Sequence, residues 1–181
     1  MEKTWPLIGP TPRPMSAPDF VSADSHPPHP TSHELIARAV ILHNGCLLAN
    51  YGTTRDGSRY YALPGGHVDP GENCVEALER EFREELGGEI KVGNLLFASE
   101  VVYGQPQRHE LVLFFSADLV VAPREEGGHV LSPEPRKEFQ WLPLSQVREA
   151  PLRPDALKSY LSGSLPARYA FEGHQAASHP A

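Results

Sequence analysis

Between Gly66 and Gly88 the chain places seven acidic residues (Asp69, Glu72, Glu76, Glu79, Glu81, Glu84 and Glu85) against two basic ones, Arg80 and Arg83. That stretch therefore carries a net −5 of the −7 borne by all 181 residues. Carboxylates gathered this way can move protons, or they can hold a hard divalent cation such as magnesium, which prefers oxygen ligands. The plain alternative is a solvated charged face. It accounts for Glu76, Glu79 and Glu84, each four positions from Arg80 or Arg83 and so able to pair along a helix. It does not account for Glu81 and Glu85. Neither has a base three or four positions away, and they stand four apart, where like charges cost about 0.2–0.5 kcal/mol. A bound cation would offset that cost.

These groups need a helix to align them. Asn73, with Glu76 three positions on, predicts a capped helix start, and Gly87-Gly88 predicts its end. At about 100° per residue Glu81, Glu84 and Glu85 share one face, while Val75, Leu78, Phe82 and Leu86 form an apolar stripe beside it. The preceding loop is rich in turn formers. Pro64-Gly65-Gly66 lets backbone approach a ligand, and Asp69-Pro70-Gly71 turns the chain into the helix. A carbonyl at Gly65 or Gly66 could add one more oxygen ligand.

Around this core, β-rich runs are predicted at Leu35–Leu42 and Cys46–Tyr51, joined by the hairpin signal His43-Asn44-Gly45. Further strands are predicted at Tyr60–Leu63, Ile90–Val92, Leu95–Tyr103, Glu110–Val121 and Phe139–Leu142, with helices at Leu144–Arg148 and Pro154–Leu161. Interspersed strands and helices predict an α/β (α+β) class, a mixed sheet with helices on its faces.

Gly66, Glu72 and the run Arg80-Glu81-Phe82-Arg83-Glu84-Glu85-Leu86-Gly87 resemble the Nudix box, G-x5-E-x7-R-E-U-x-E-E-x-G-U, where U is a bulky apolar residue. Every position matches except the last, where Gly88 stands in place of an apolar residue and Ile90 is the candidate to pack instead. Ala62-Leu63-Pro64-Gly65-Gly66 and Trp141-Leu142-Pro143-Leu144 also look like this family, so the resemblance runs from about Leu35 to Leu161. It implies a MutT-like Nudix fold, an α/β/α sandwich around a mixed β-sheet. It implies magnesium, with manganese as a candidate substitute, held by Glu81, Glu85 and the Gly65 carbonyl. Glu84 would act as ligand, water-mediated ligand or base. Glu72 and Arg80 would join the loop to the helix by a salt bridge. The implied reaction is hydrolysis of the diphosphate linkage in a nucleoside diphosphate joined to a further moiety. Glu134 and Glu138, upstream of Trp141, are candidates for an additional acid. Arg38, Arg55, Arg59 and His67 are candidate substrate contacts, and Tyr60, Tyr61 and Tyr103 are read as sheet core more readily than as base-stacking rings.

Two rival functions share the fold. A binding module for a nucleotide or a protein would lack turnover, although such domains usually lose a metal glutamate and this chain keeps them all. An isopentenyl diphosphate isomerase would need a catalytic cysteine, and Cys46 and Cys74 are poorly placed for that. The residues do not select one nucleotide substrate. The tails fall outside this domain. Residues 1–32, with eight prolines in the first 30, predict an extended arm; residues 33–163 form the predicted domain; residues 164–181 form a tail. His26, His29 and His33 read as solvated tail rather than a metal site. The sequence shows no signal peptide and no apolar run long enough to span a bilayer, so no membrane partner is expected. The acidic balance argues against nucleic acid as a partner, and the two cysteines give no disulfide framework, which suits the cytoplasm. Homodimers are frequent in the family, so a dimer is a candidate assembly.

Overall fold

A computed structural model of the chain describes residues 32–54, 57–103, 108–126, 129–135, 137–164 and 169–172. The proline-rich arm, with His26 and His29, lies outside the described residues, as does Arg55. The strands, in chain order, are β1 (Ser32–Val40), β2 (Leu42–His43), β3 (Cys46–Thr53), β4 (Arg59–Ala62), β5 (Glu89–Tyr103), β6 (Arg108–Val121), β7 (Glu125–Glu126), β8 (His129–Val130), β9 (Phe139–Pro143) and β10 (Tyr169–Glu172). Helix α1 spans Cys74–Leu86 and α2 spans Asp155–Leu161.

The mixed α/β (α+β) class holds, and the strands divide between two sheets. One runs β1-β6-β5-β10, with β1 parallel to β6, β6 antiparallel to β5, and β10 parallel to β5. The other runs β2-β3-β9-β8-β7, with β4 on the side of β3. The division follows from the glycine loop, which takes the free edge of β1. Ala39 N–H donates to Pro64 O, Ala37 N–H to Gly66 O, and Val68 N–H to Leu35 O, at 3.0, 2.9 and 2.9 Å. A strand edge would otherwise be left with unpaired amides.

Alternation along β1 then builds two cores. Ile36 and Val40 point into a cluster with Phe97, Phe114, Leu152 and Leu157, the last from α2. Ala37 and Ala39 point the other way, into a cluster with Leu78, Phe82 and Leu86 of α1. Helices therefore cover opposite faces, giving the α/β/α layering. The small side chains of Ala37 and Ala39, at most 1% exposed, leave room for the loop and α1 to lie close to the strand.

Local chemistry sets the elements that matter most. Asn44 (φ 48°) and Gly45 (φ 75°) make the tight turn between β2 and β3. Asn73 Oδ1 accepts from Val75 N–H and Glu76 N–H, and Glu76 Oε2 accepts from Asn73 N–H, a closed capping box. Such a cap contributes about 1 kcal/mol. Gly87, at φ 63°, ends α1 in the left-handed conformation. Gly88 is buried against the Val121 carbonyl and the Phe82 ring, so the apolar residue expected there would collide, and Ile90 (6% exposed) packs instead.

Four expectations change. The predicted strands Ile90–Val92 and Leu95–Tyr103 are one strand, β5, with a register shift between Val92 and Leu95, where Asn94 N–H donates to Ser116 Oγ. The helix predicted at Leu144–Arg148 is a single 3-10 turn at Leu144–Gln146. Residues Tyr169–Glu172, read as tail, lie as a strand beside β5. Val75, placed in the apolar stripe, is 39% exposed because it sits in the first turn, beyond the sheet.

Candidate active site

The glycine loop and α1 meet through two carboxylates. Gly65 N–H donates to Glu85 Oε2 at 3.0 Å. The Glu81 carboxylate lies against Gly66, so closely that a Cβ there would fall 2.4 Å from Oε1. Gly65 adopts φ 120°, and a Cβ on it would lie 2.3 Å from the Ala37 carbonyl. Consecutive glycines thus serve different needs: Gly65 fits the strand edge, and Gly66 fits a carboxylate.

The three glutamates of the shared face differ sharply in depth. Glu85 is buried at 1%, the Glu81 side chain is 16% exposed and that of Glu84 is 56% exposed. Glu85 borders the apolar stripe at about 40° from Glu81, so packing α1 on β1 draws it inward. Burial pushes its carboxyl above the usual range, against the opposing pull of Lys137 and the Gly65 N–H.

Both glutamates read from the sequence as unpaired have cationic partners. Glu81 Oε1 accepts from Arg80 at 3.0 Å, because the guanidinium folds back over the adjacent residue. Glu85 Oε1 accepts from Lys137 Nζ at 2.7 Å, a contact between residues 52 apart. Lys137 Nζ also reaches Glu134 Oε2 at 2.8 Å. Burial alone would lower the Lys137 pKa, and its bonds to Glu134 and Glu85 outweigh that and raise it. Ser132 holds this loop to the helix: its Oγ donates to Glu85 O at 2.6 Å and accepts from Glu134 N–H at 3.0 Å.

Arg80 is the hub on the other side. Its Nε and Nη2 grip Glu72 Oε2 and Oε1 at 3.1 and 2.7 Å, and Nη2 also donates to His67 O at 3.1 Å. Glu72 Oε1 in turn accepts from Asp69 N–H at 2.7 Å. The hydrogen bond from Arg80, and then the one from Asp69 N–H, hold the Glu72 carboxyl below its ordinary range. The segment His67–Glu72 is thereby fastened to α1 at three points.

Arg38 comes from β1 into the same region. It donates to Leu63 O at 3.0 Å and to the Gly65 carbonyl. Burial lowers its pKa, and the charges of Glu85 and Glu81 work against that. It is therefore an internal cation of the site rather than an open surface arginine.

The remaining candidates separate clearly. Glu134 is brought to Glu85 through Lys137, whereas Glu138 is exposed and meets β3 with its carbonyl, which accepts from Tyr51 N–H. His67 turns its ring outward to Glu34 at 2.8 Å. Arg59 lies 5.7 Å over the Tyr51 ring. Tyr61 is tied into a closed set of hydrogen bonds with Tyr51 and Gln140, and burial raises its pKa. The Tyr60 ring packs on Gly52. Lys137 and Ser132 were not singled out from the sequence. The adjacent bases Arg136 and Lys137 between Glu134 and Glu138 were the available signal.

The donor set suits a hard divalent cation: the carboxylates of Glu81 and Glu85 and the carbonyl of Gly65 are all oxygens, gathered at two consecutive loop residues. In the arrangement seen, no three acidic, histidine or cysteine side chains among the described residues converge as ligands. Arg80, Lys137 and Arg38 occupy those same oxygens.

Comparison with known proteins agrees with this geometry. The NUDIX domain profile matches residues 33–162. A mouse (Mus musculus) bis(5'-nucleosyl)-tetraphosphatase is 30% identical over 94 residues, 51% of this chain and 61% of that protein. An ADP-ribose pyrophosphatase of Methanocaldococcus jannaschii is 32% identical over 87 residues, 48% of each. The chain thus spans about half to three-fifths of the curated relatives it matches. Among solved structures, the MutT protein of Bacillus halodurans aligns with a TM-score of 0.58 at 20% identity, covering 81% of this chain and 93% of that one. That likeness carries the fold.

Proposed function

The chain belongs to the NUDIX family, and from that premise we propose that it is a magnesium-dependent nucleotide pyrophosphatase. It would cleave the diphosphate anhydride of a nucleoside diphosphate joined to a second group. The observation that carries the reading is the pairing of Glu85 with Gly65 and of Glu81 with Gly66, which puts the two innermost carboxylates on a loop free of side chains. Phosphate oxygens can approach such a loop closely. The relatives named as a tetraphosphatase and an ADP-ribose pyrophosphatase support the same reaction class and a small nucleotide as substrate.

Glu81, Glu85 and the Gly65 carbonyl would hold the cation, with manganese able to replace magnesium. The bound cation supplies charge neutralisation on the phosphates and a more acidic water. Glu84, the most exposed of the three, would accept the proton as water oxygen attacks phosphorus and the anhydride P–O bond breaks. Arg80 and Glu72 keep the loop seated on α1, and Glu134 is the additional acid nearest the site. No described helix is long and apolar enough to cross a membrane. Both cysteines are free, which supports a cytoplasmic setting.

A second reading, a binding module without turnover, has in its favour that Arg80, Lys137 and Arg38 already occupy the oxygens a cation would need. Phosphate release from a panel of nucleotides, dinucleotides and nucleotide sugars separates the two. The proposal expects turnover with magnesium that is lost with chelator and in Glu85→Gln. Magnesium-stabilised ligand binding with no turnover on the panel would favour the module.

A further inference from the structure

Lys137 has no part in the family signature, yet it makes the shortest cationic contact to the most buried carboxylate of the site. Its Nζ lies 2.7 Å from Glu85 Oε1 and 2.8 Å from Glu134 Oε2. The other Glu85 oxygen is already taken by Gly65 N–H at 3.0 Å. Oε1 is thus the oxygen through which Glu85 can reach a cation, and an ammonium group already sits on it. Magnesium lies about 2.1 Å from its carboxylate oxygens. An ammonium group 2.7 Å from the same oxygen would face it at short range across a poorly hydrated site, where like charges repel strongly.

We propose that Lys137 is a tethered counter-ion that competes with the divalent cation for Glu85. Loading the metal expels the ammonium toward Glu134, and unloading draws it back. The inference rests on the metal reading above and deepens it.

Three features make the exchange workable. The Glu134 side chain is 42% exposed and that of Lys137 is 32% exposed, so the released pair can move into water together, while Glu85 cannot. Lys137 precedes β9 with its backbone held, its N–H donating to Glu134 O at 3.1 Å, so the exchange needs only its long side chain to swing. Finally, Glu85 buried without any cation would be a costly group, so a substitute charge is needed whenever the metal is absent. The Arg38 contact to the Gly65 carbonyl is of the same kind, since it covers a second oxygen of the donor set.

Competition is reciprocal: whatever Lys137 takes from metal affinity, the metal takes from the Lys137 contact. Removing the ammonium therefore tightens metal binding. Site-to-site couplings of this sort are commonly about 5- to 150-fold.

The test is Mn2+ binding to the full chain, read by the loss of the free-ion paramagnetic resonance signal, for wild type, Lys137→Met and Lys137→Arg. Melting temperatures are read in parallel, with chelator and with Mn2+. The proposal expects Lys137→Met to bind Mn2+ on the order of tenfold more tightly. It also expects a lower melting temperature in chelator and a larger rise on adding metal. Lys137→Arg, which keeps the charge, should stay near wild type in affinity. A purely structural lysine would lower the melting temperature without tightening the metal. Wild type and Lys137→Met binding Mn2+ equally, or the variant more weakly, overturns the inference and leaves the metal reading standing. Absence of Mn2+ binding by all three proteins overturns both.

Discussion

Adding one methyl group at either of two adjacent glycines should damage different properties. At Gly65 the new Cβ would fall 2.3 Å from the Ala37 backbone carbonyl and 2.9 Å from Leu78 Cδ2, and φ is 120°. Backbone cannot step aside without breaking the loop's pairing with β1. A side chain in that region of φ costs about 1–3 kcal/mol, and overpacking adds about 1–3 kcal/mol. Gly65→Ala should therefore lose about 3 kcal/mol, a fall of roughly 10 °C in melting temperature for a domain of this size. At Gly66 the nearest atoms are Glu81 Oε1 at 2.4 Å, Cδ at 2.5 Å and Oε2 at 2.8 Å. They belong to the end of a flexible side chain, which can rotate away. Gly66→Ala should keep its melting temperature within about 3 °C, a cost of at most about 1 kcal/mol. It should nevertheless weaken Mn2+ binding about tenfold or more, since the displaced carboxylate is one of the proposed ligands. Thermal unfolding in chelator and Mn2+ titration of both variants decide the matter. If Gly66→Ala melts as low as Gly65→Ala, or binds Mn2+ like wild type, the assignment of Gly66 as a seat for Glu81 is wrong.

Three further outcomes are expected. Glu85→Gln should fold and lose turnover by at least about 100-fold, because it removes, at nearly constant volume, the carboxylate charge that would hold the metal; full activity in a steady-state assay would reject Glu85 as a ligand. In a cycle on Glu72→Gln and Arg80→Met, the double variant should lose no more turnover than the worse single one, since both break the same link between loop and helix; additive losses would assign them separate roles. Burial raises the Cys74 thiol, so it is less ionised at neutral pH than a free cysteine and gains reactivity only as the pH climbs past the usual thiol range. Alkylation of Cys74, followed by mass spectrometry, should be slower than that of glutathione at pH 7, and a faster rate would reopen the case for a catalytic cysteine.

The features that could be read from the sequence are those set within a few residues. The capping box at Asn73 and Glu76, the Gly87 stop and the Asn44-Gly45 turn depend on backbone geometry over one turn, and each forms where local chemistry puts it. The sharing of a face by Glu81, Glu84 and Glu85 is equally local. Their depth is not. A helical period says which side a residue is on, whereas the line between water and core is drawn by what packs there. Glu85 stands at that line, so the close approach of α1 to Ala37 and Ala39 decides that it is buried. Its cation arrives from 52 residues away and could not be found by looking three or four positions along the helix.

The two-sheet division has the same origin, because it depends on which chain segment takes the free edge of β1. A loop containing Pro64 and two glycines has no strand signal, yet its backbone donates and accepts like a strand over Pro64–Val68. That edge pairing fixes Gly65, Gly65 N–H fixes Glu85, and Glu85 selects the position of Lys137. The acids that a reader of the sequence sees as a free, metal-hungry cluster are therefore already neutralised inside the fold. On the proposed metal reading, the strength of metal binding would be set as much by Arg38, Arg80 and Lys137 as by the glutamates themselves. Two chains with the same signature can differ widely in metal affinity if their cations differ.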